Sequence, residues 1–175
     1  SGRGYVDGWS RCVMATVIRG SDNLDSALVS KTFAESRIHV YNYNGYGSTN
    51  NKIPRFSNTA ETAGSAITYA DSASLGASFT INDDGFYSMT YHIMANSSQW
   101  FGISLNSTQL TTTLYQINVA DRLTASNTPA LNVVTQVGVT RRLAAGDIIR
   151  PHTYGGAFNN NGGNASNEFT IERVG

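Results

Sequence analysis

Three aspartates lie in glycine-containing turns, where a carboxylate can shape a turn, bind a metal ion or take part in catalysis. Asp83 and Asp84 directly precede Gly85 in INDDG, and Asp147 follows Gly146 in LAAGDII. Adjacent residues of an extended chain point to opposite faces, so Asp83 and Asp84 cannot readily flank one bond as glycosidase carboxyl groups do. We interpret INDDG as a hairpin turn and Asp147 as a turn residue whose carboxylate accepts backbone N–H groups.

Motifs for metal binding and nucleophilic catalysis are missing from the sequence. Calcium ligation by Asp147 would need several oxygen ligands nearby, and there is no Asp-x-Asp-x-Asp-Gly loop. His39, His92 and His152 are far apart, so we expect them to be packed or hydrogen-bonded. No Gly-x-Ser-x-Gly elbow precedes a helix, and GYGSTNNK lacks the Gly-Lys-Ser/Thr ending of a phosphate loop. We therefore expect no metal, no cofactor and no enzymatic activity.

Aromatic residues in polar loops give a stronger indication of function. Trp100 follows the loop MANSSQ, Tyr154 precedes the loop GGAFNNNGG, and Tyr46 lies in NGYGSTNN. Binding residues concentrate on loops held by a rigid scaffold, and aromatic rings stack on the apolar faces of sugars. We predict Tyr46, Trp100 and Tyr154 as ligand-binding residues. Packing at the rim of the fold or at a subunit interface is the alternative for Trp100 and Tyr154.

The composition indicates a neutral domain with a low charge density. The 175 residues contain 12 Lys and Arg against 12 Asp and Glu, and only 14% are charged. This balance gives no electrostatic attraction to nucleic acid or to anionic membranes. Cys12 is the only cysteine, which excludes an intramolecular disulfide, and we expect it to be a buried thiol. No apolar run reaches membrane-spanning length, so we expect no membrane insertion.

Short strands separated by turn-rich loops make up most of the chain after residue 36. In FYSMTYHIM (86–94), the residues Tyr87, Met89, Tyr91 and Ile93 share one face, which we predict to be core. Pro151 cannot donate to a β-ladder, which predicts an edge strand or a strand end there. Many short strands without intervening helices predict an all-β antiparallel sandwich, a jelly roll. The other predicted strands are RIHVYNY (37–43), ASFTI (77–81), WFGISLN (100–106), NVVTQVGVTRRL (132–143), DIIRPHTY (147–154) and EFTIERV (168–174).

Four segments occur in an order that resembles a known family: SFTINDDGFYSMTY, FGISLN, VTRRLAAGDIIRPHTY and NEFTIERV. Together they resemble the complement-type globular head and the wider tumour-necrosis-factor-like jelly roll. Met89 departs from the aromatic residue usual in complement-type heads, and no collagen stem is present. The resemblance implies a jelly-roll domain over 37–175, preceded over 1–36 by a lead-in segment or the end of another module. The matching positions are Gly85, Tyr87, Met89, Leu143, Gly146, Asp147, Ile149 and Phe169.

A narrower resemblance covers residues 44–83 together with FGISLNSTQLTTTL and VADRL. These segments resemble the C-terminal domains of bacteriophage tail fibres and tailspikes. The resemblance implies a homotrimer in the virion that binds a host surface polysaccharide and supports trimer assembly. A purely structural trimerisation cap for an upstream enzymatic domain is the alternative. We expect the face of 86–94 that carries Phe86, Ser88 and Met94 to include residues near the three-fold axis, where His92 could meet a neighbouring subunit.

Overall fold

Two five-stranded antiparallel sheets pack face to face in the computed structural model, which describes residues 36–129, 132–159 and 166–175. Two short 3-10 helices, Leu114–Gln116 and Val119–Asp121, lie in the connection between the sixth and seventh strands. The strands are β1 (Arg37–Tyr46), β2 (Pro54–Ala63), β3 (Ile67–Ser72), β4 (Gly76–Ile81), β5 (Gly85–Met94), β6 (Trp100–Leu105), β7 (Arg122–Asn127), β8 (Val134–Leu143), β9 (Ile148–Thr153) and β10 (Glu168–Arg173).

The strand order is that of a jelly roll, in which the chain repeatedly crosses from one sheet to the other. Sheet A has the order β2-β1-β10-β5-β8, and sheet B has the order β3-β4-β9-β6-β7. The first and last strands are neighbours in sheet A, with Ile38 opposite Ile171. All neighbouring strands pair antiparallel. The predicted all-β antiparallel jelly roll is therefore confirmed.

The core lies between the sheets and follows the two-residue period of the strands. Tyr87, Met89 and Tyr91 are completely buried on the inward face of β5, as the alternation in FYSMTYHIM predicts, and so is Ile93. Aromatic rings also make contact between the two sheets. Phe79 of β4 stacks on Phe169 of β10 with ring centroids 4.6 Å apart. Aromatic pairs of this kind add about 0.5–1.5 kcal/mol beyond the burial of their area.

The INDDG segment forms a turn, but the hairpin predicted there is wrong. The strand before it, β4, lies in sheet B, whereas the strand after it, β5, lies in sheet A, so the turn carries the chain across the sandwich. Hydrogen bonds fix this crossing: Tyr87 donates its hydroxyl to the Asp83 carbonyl at 2.7 Å, and Ala145 N donates to Asp84 Oδ1 at 2.9 Å. The two aspartates therefore serve the crossing between sheets.

The strand that contains Pro151 occupies a central position in sheet B, so the edge prediction is wrong for the strand as a whole. On the side of β9 that faces β4, however, Pro151 lies beyond the last paired residue. The neighbouring strand β4 pairs with β9 only at Ile148 and Ile149, while Pro151 lies opposite Ile103 of β6 on the other side. Because the β4 ladder ends before Pro151, the missing N–H leaves no unmade bond there.

Residues 34–175 group into one compact unit, in which β1 begins at Arg37. The predicted lead-in segment over 1–36 lies outside the described residues except for Ser36, and so does Cys12. The boundary after residue 36 and the buried thiol remain predictions. No helix formed by the described residues is long and apolar enough to cross a membrane.

Candidate functional site

The connection between β6 and β7, residues 106–121, folds over the outward face of sheet B; we call it the 106–121 loop. Alternation along β6 points Phe101 inward and Gly102 and Ser104 outward, yet Gly102 and Ser104 are buried as well. Leu114 from the loop covers them, and its Cδ2 lies 2.7 Å from the place that a Cβ on Gly102 would take. The absence of a side chain at Gly102 therefore lets the loop approach the sheet closely.

His152 attaches the same loop to sheet B. This completely buried side chain of β9 donates from Nε2 to the Thr112 carbonyl at 2.8 Å, because a carbonyl only accepts. Its Nδ1 then accepts from Ser104 Oγ at 3.2 Å. Burial lowers the pKa of His152 to about 4, the Thr112 bond opposes the shift, and the charges of Arg150 and Lys52 reinforce it. His152 is thus neutral and hydrogen-bonded, as expected for an isolated histidine on a strand.

Three partly exposed aromatic side chains meet where this loop reaches the end of sheet B; we call Trp100, Tyr115 and Tyr154 the aromatic platform. The Tyr115 and Tyr154 rings are nearly parallel, at 9°, with centroids 6.2 Å apart. The centroid of Trp100 lies 6.0 Å from that of Tyr115, with the rings inclined at 43°. Trp100 and Tyr115 are 39% exposed and Tyr154 is 47% exposed. Two of the three residues predicted from the sequence therefore lie in one cluster.

Tyr46, the third predicted residue, supports the backbone around Tyr154 and does not join the platform. Its hydroxyl donates to the Gly156 carbonyl at 2.6 Å and accepts from Thr153 Oγ1 at 3.1 Å. Burial is the largest cause that raises the pKa of Tyr46 above its usual range, so the hydroxyl stays protonated. Thr153 also donates its N–H to the Lys52 carbonyl at 3.0 Å. Tyr154 thus follows a residue that is held on two sides.

Tyr115 was not predicted, because it lies neither beside a predicted strand nor in a glycine-rich loop. It lies in a 3-10 turn whose position Arg122 fixes, donating from Nη2 to the Tyr115 carbonyl at 2.8 Å and to the Ile117 carbonyl at 3.1 Å. The signal that could have found Tyr115 is its place in the Thr- and Gln-rich stretch STQLTTTLYQ, which is polar like the loops of the other candidates.

Asp147 has the turn role expected of it. Its Oδ2 accepts from Ala144 N at 2.9 Å, and its Oδ1 accepts from Asn106 Nδ2 at 2.7 Å. Gly146 before it has φ of +94°, a left-handed conformation that glycine adopts without steric cost. Within residues 36–129, 132–159 and 166–175, no cluster of three His, Cys, Asp or Glu side chains could hold a metal ion.

A second polar cluster lies on the outward face of sheet A. Glu168 of β10 bridges two histidines, with Oε1 at 2.6 Å from His92 Nδ1 and Oε2 at 3.1 Å from His39 Nε2. His92 lies directly opposite Glu168 in the pairing of β5 with β10. The other ring nitrogen of His92 is buried and has no hydrogen-bond partner. The cluster therefore presents a polar atom whose bonding within the subunit is incomplete.

Comparison with known proteins identifies the fold. No family model matches the chain, and no curated protein sequence matches it. Crystal structures of murine APRIL at pH 8.5 and pH 8.0 superpose with a TM-score of 0.54 at 11% and 10% identity, each covering 80% of this chain and 99% of that chain. Pika GITRL gives a TM-score of 0.47 at 11% identity, covering 81% of this chain and 96% of that chain. The jelly roll is of the tumour-necrosis-factor-like type.

Proposed function

We propose that the chain is a glycan-binding jelly-roll module that works as a homotrimer and binds a surface polysaccharide on its aromatic platform. The observation that carries the proposal is the convergence of Trp100, Tyr115 and Tyr154 from three separate segments into one partly exposed cluster. The placement in a phage tail rests on the sequence resemblance, which also implies a host surface polysaccharide as the ligand.

The chemistry of the platform suits a sugar. Exposed aromatic faces contact the C–H faces of a pyranose ring, and polar groups around them can bond its hydroxyls. Two polar side chains lie beside Trp100. Asn127 is opposite Trp100 in the ladder, and its Oδ1 accepts from Ser98 Oγ at 2.9 Å. Hydrogen bonds of Thr153 and Arg122 hold the loops that carry the rings, so binding should cost little conformational entropy for ordering these loops.

The homotrimer is supported by the tumour-necrosis-factor-like fold and by the outward face of sheet A. Phe86 and Val134 are 51% and 54% exposed at opposite ends of this face, and covering such apolar side chains with a neighbouring subunit would favour association. The unpaired ring nitrogen of His92 on the same face can gain a partner from a neighbouring subunit. Three equivalent sites on a rigid trimer would gain avidity on a repeating polysaccharide.

Alanine substitution of the platform tests the glycan-binding role. Wild-type chain is screened on a glycan array, and the strongest ligand is titrated by calorimetry into Trp100→Ala, Tyr115→Ala and Tyr154→Ala. Loss of one stacking ring should weaken binding by about tenfold, the effect of about 1.4 kcal/mol. Val174→Ala is the control, since Val174 is 47% exposed and lies beside Phe86 at the start of β5, where its N–H donates to the Phe86 carbonyl. Platform variants that bind like wild type would contradict the proposed site.

Light scattering on the whole chain tests the trimer. Phe86→Asp introduces a charge on the outward face of sheet A and should shift the mass from trimer towards monomer, because a buried unpaired carboxylate opposes association. Val119→Asp is the matched control, since Val119 is 77% exposed outside sheet A. A wild-type monomer in dilute solution would contradict the trimer. A stable trimer without any glycan ligand would favour the purely structural trimerisation cap.

A further inference from the structure

A lysine lies at the edge of the aromatic platform. Lys52 Nζ is 5.9 Å from the centroid of the Tyr154 ring, a distance at which a cation is attracted to an aromatic face. The side chain runs along the backbone of Gly155, where an added Cβ would lie 2.5 Å from Nζ and 2.9 Å from Cδ. Gly155 has φ of +101°, so glycine both permits the turn and leaves the space that the lysine fills.

The positive charges near the platform are not balanced by carboxylates. Within the part of the chain that the structure describes, none of the ion pairs includes Lys52, Arg122 or Arg150. Arg122 instead donates to the carbonyls of Tyr115 and Ile117. The unbalanced charge also reaches the buried His152, whose pKa Arg150 and Lys52 help to lower.

Three arginines of the sandwich differ in this respect. Arg55 bonds Asp71 through two nitrogens, at 2.9 and 3.2 Å. Arg37 lies 3.3 Å from Glu61, and Arg173 lies 3.7 Å from Asp83. Lys52 is therefore available to a ligand, and its ammonium has three donors for that purpose.

From this arrangement we propose that the platform selects anionic sugars, with Lys52 binding a carboxylate or sulfate substituent of a sugar ring that rests on Tyr154. The inference rests on the proposed glycan-binding function and names the class of sugar. A charge-assisted hydrogen bond from Lys52 is roughly twice as strong as a neutral one, so the substituent would add both affinity and orientation. Sugars with a carboxylate and sugars with a sulfate supply the same chemistry, and separate arms of the experiment distinguish them.

Matched oligosaccharides test the selection. Calorimetry on the whole chain compares an oligogalacturonate with its methyl ester, which keeps the ring and removes the charge, and with a sulfated galactan oligomer. Wild type should bind the charged oligomer about tenfold more tightly than the ester, and added salt should reduce this difference. Lys52→Met should remove the preference and leave binding of the ester unchanged, and Lys52→Arg should restore part of it. Arg141→Met, on an exposed arginine of β8 that lies opposite the buried Tyr87, is the control.

Each outcome has a separate meaning. Equal binding of acid and ester by wild type, or equal loss of both in Lys52→Met, would overturn the anionic preference while the glycan-binding function stands. Binding of the sulfated oligomer but not the galacturonate supports the anionic class and identifies sulfate as the substituent. If no oligosaccharide on the array or in solution binds, the proposed function fails, and the selection for anionic sugars fails with it.

Discussion

Asn106 and Asp147 join the start of the 106–121 loop to the turn between β8 and β9. Asn106 Nδ2 donates to Asp147 Oδ1 at 2.7 Å, and the Oδ1 of Asn106 accepts from Ile148 N at 2.7 Å. Asn106 adopts φ of +52°, a left-handed conformation that asparagine tolerates better than most residues. The Asp147 carboxylate, predicted from the sequence to accept backbone N–H groups in its turn, therefore also holds the start of this loop.

Replacing Asp147 with Asn should destabilise the fold. Asparagine places an NH₂ group where an oxygen now accepts from Asn106 Nδ2 or from Ala144 N, so one donor loses its partner, at about 1–3 kcal/mol. Urea unfolding measures the loss. Asp121→Asn is the matched control, because Asp121 forms no side-chain hydrogen bond or ion pair within the described residues. Equal stabilities of the two variants would contradict the role of Asp147.

Gly102→Ala should displace the 106–121 loop. An added Cβ would collide with the Thr124 carbonyl oxygen and lie 2.7 Å from Leu114 Cδ2, and overpacking of this kind costs about 1–3 kcal/mol. Because Tyr115 follows Leu114, glycan affinity should fall along with thermal stability. Gly138→Ala is the control, since the nearest atom to its Cβ is 3.4 Å away, and alanine there should be neutral or slightly stabilising. Similar thermal midpoints for both variants would refute the close contact.

The free energy of unfolding should decrease as the pH is lowered, because His152 is held neutral in the folded state. Its folded pKa of about 4 lies below the ordinary value of 6.5, so the unfolded chain binds the proton first as the pH falls. Between these values His152 should lower the free energy of unfolding by about 1.4 kcal/mol per pH unit, with no effect above pH 6.5. Urea unfolding at several pH values should show this slope in wild type and a smaller slope in His152→Gln. An unchanged slope in His152→Gln would contradict the assignment.

Tyr46→Phe separates support from direct ligand contact. The variant loses the hydroxyl that donates to Gly156 and accepts from Thr153, which should lower stability by about 1 kcal/mol. Glycan affinity should fall less than in Tyr154→Ala, because the platform rings remain in place. If Tyr46→Phe abolished binding at unchanged stability, Tyr46 would contact the ligand as the sequence first predicted.

The sequence predicted those parts of the fold that a two-residue period encodes. β5 and its buried face were recognised because Tyr87 and Tyr91 alternate with more polar residues. By contrast, β2 (PRFSNTAETA), β3 (ITYADS) and β7 (RLTASN) were not predicted, because each has at most two large apolar or aromatic side chains, too few to mark a two-residue period. The hairpin at INDDG was wrong because sheet membership depends on distant partners, which local turn chemistry does not specify.

The candidate site shows the same division between local and distant information. Trp100 and Tyr154 stood out as aromatics beside polar loops, and the pairing of β6 with β9 brings them together. Tyr115 reaches them only because His152 bonds Thr112 and Leu114 packs on Gly102. These contacts join residues far apart in the chain, and no local pattern in STQLTTTLYQ encodes them.

The anchoring of the 106–121 loop makes this loop an exchangeable element. It is held by Asn106 at its start, which accepts from Ile148 N, and by Arg122 after its end, which donates to the Tyr115 carbonyl. Partly exposed side chains between them, such as Tyr115, can be randomised while the buried Leu114 and Ile117 are kept. Libraries built on this loop would retarget recognition while the opposite sheet, proposed for assembly, keeps its surface. A scaffold that uses separate surfaces for assembly and for recognition is a natural starting point for engineered multivalent binders.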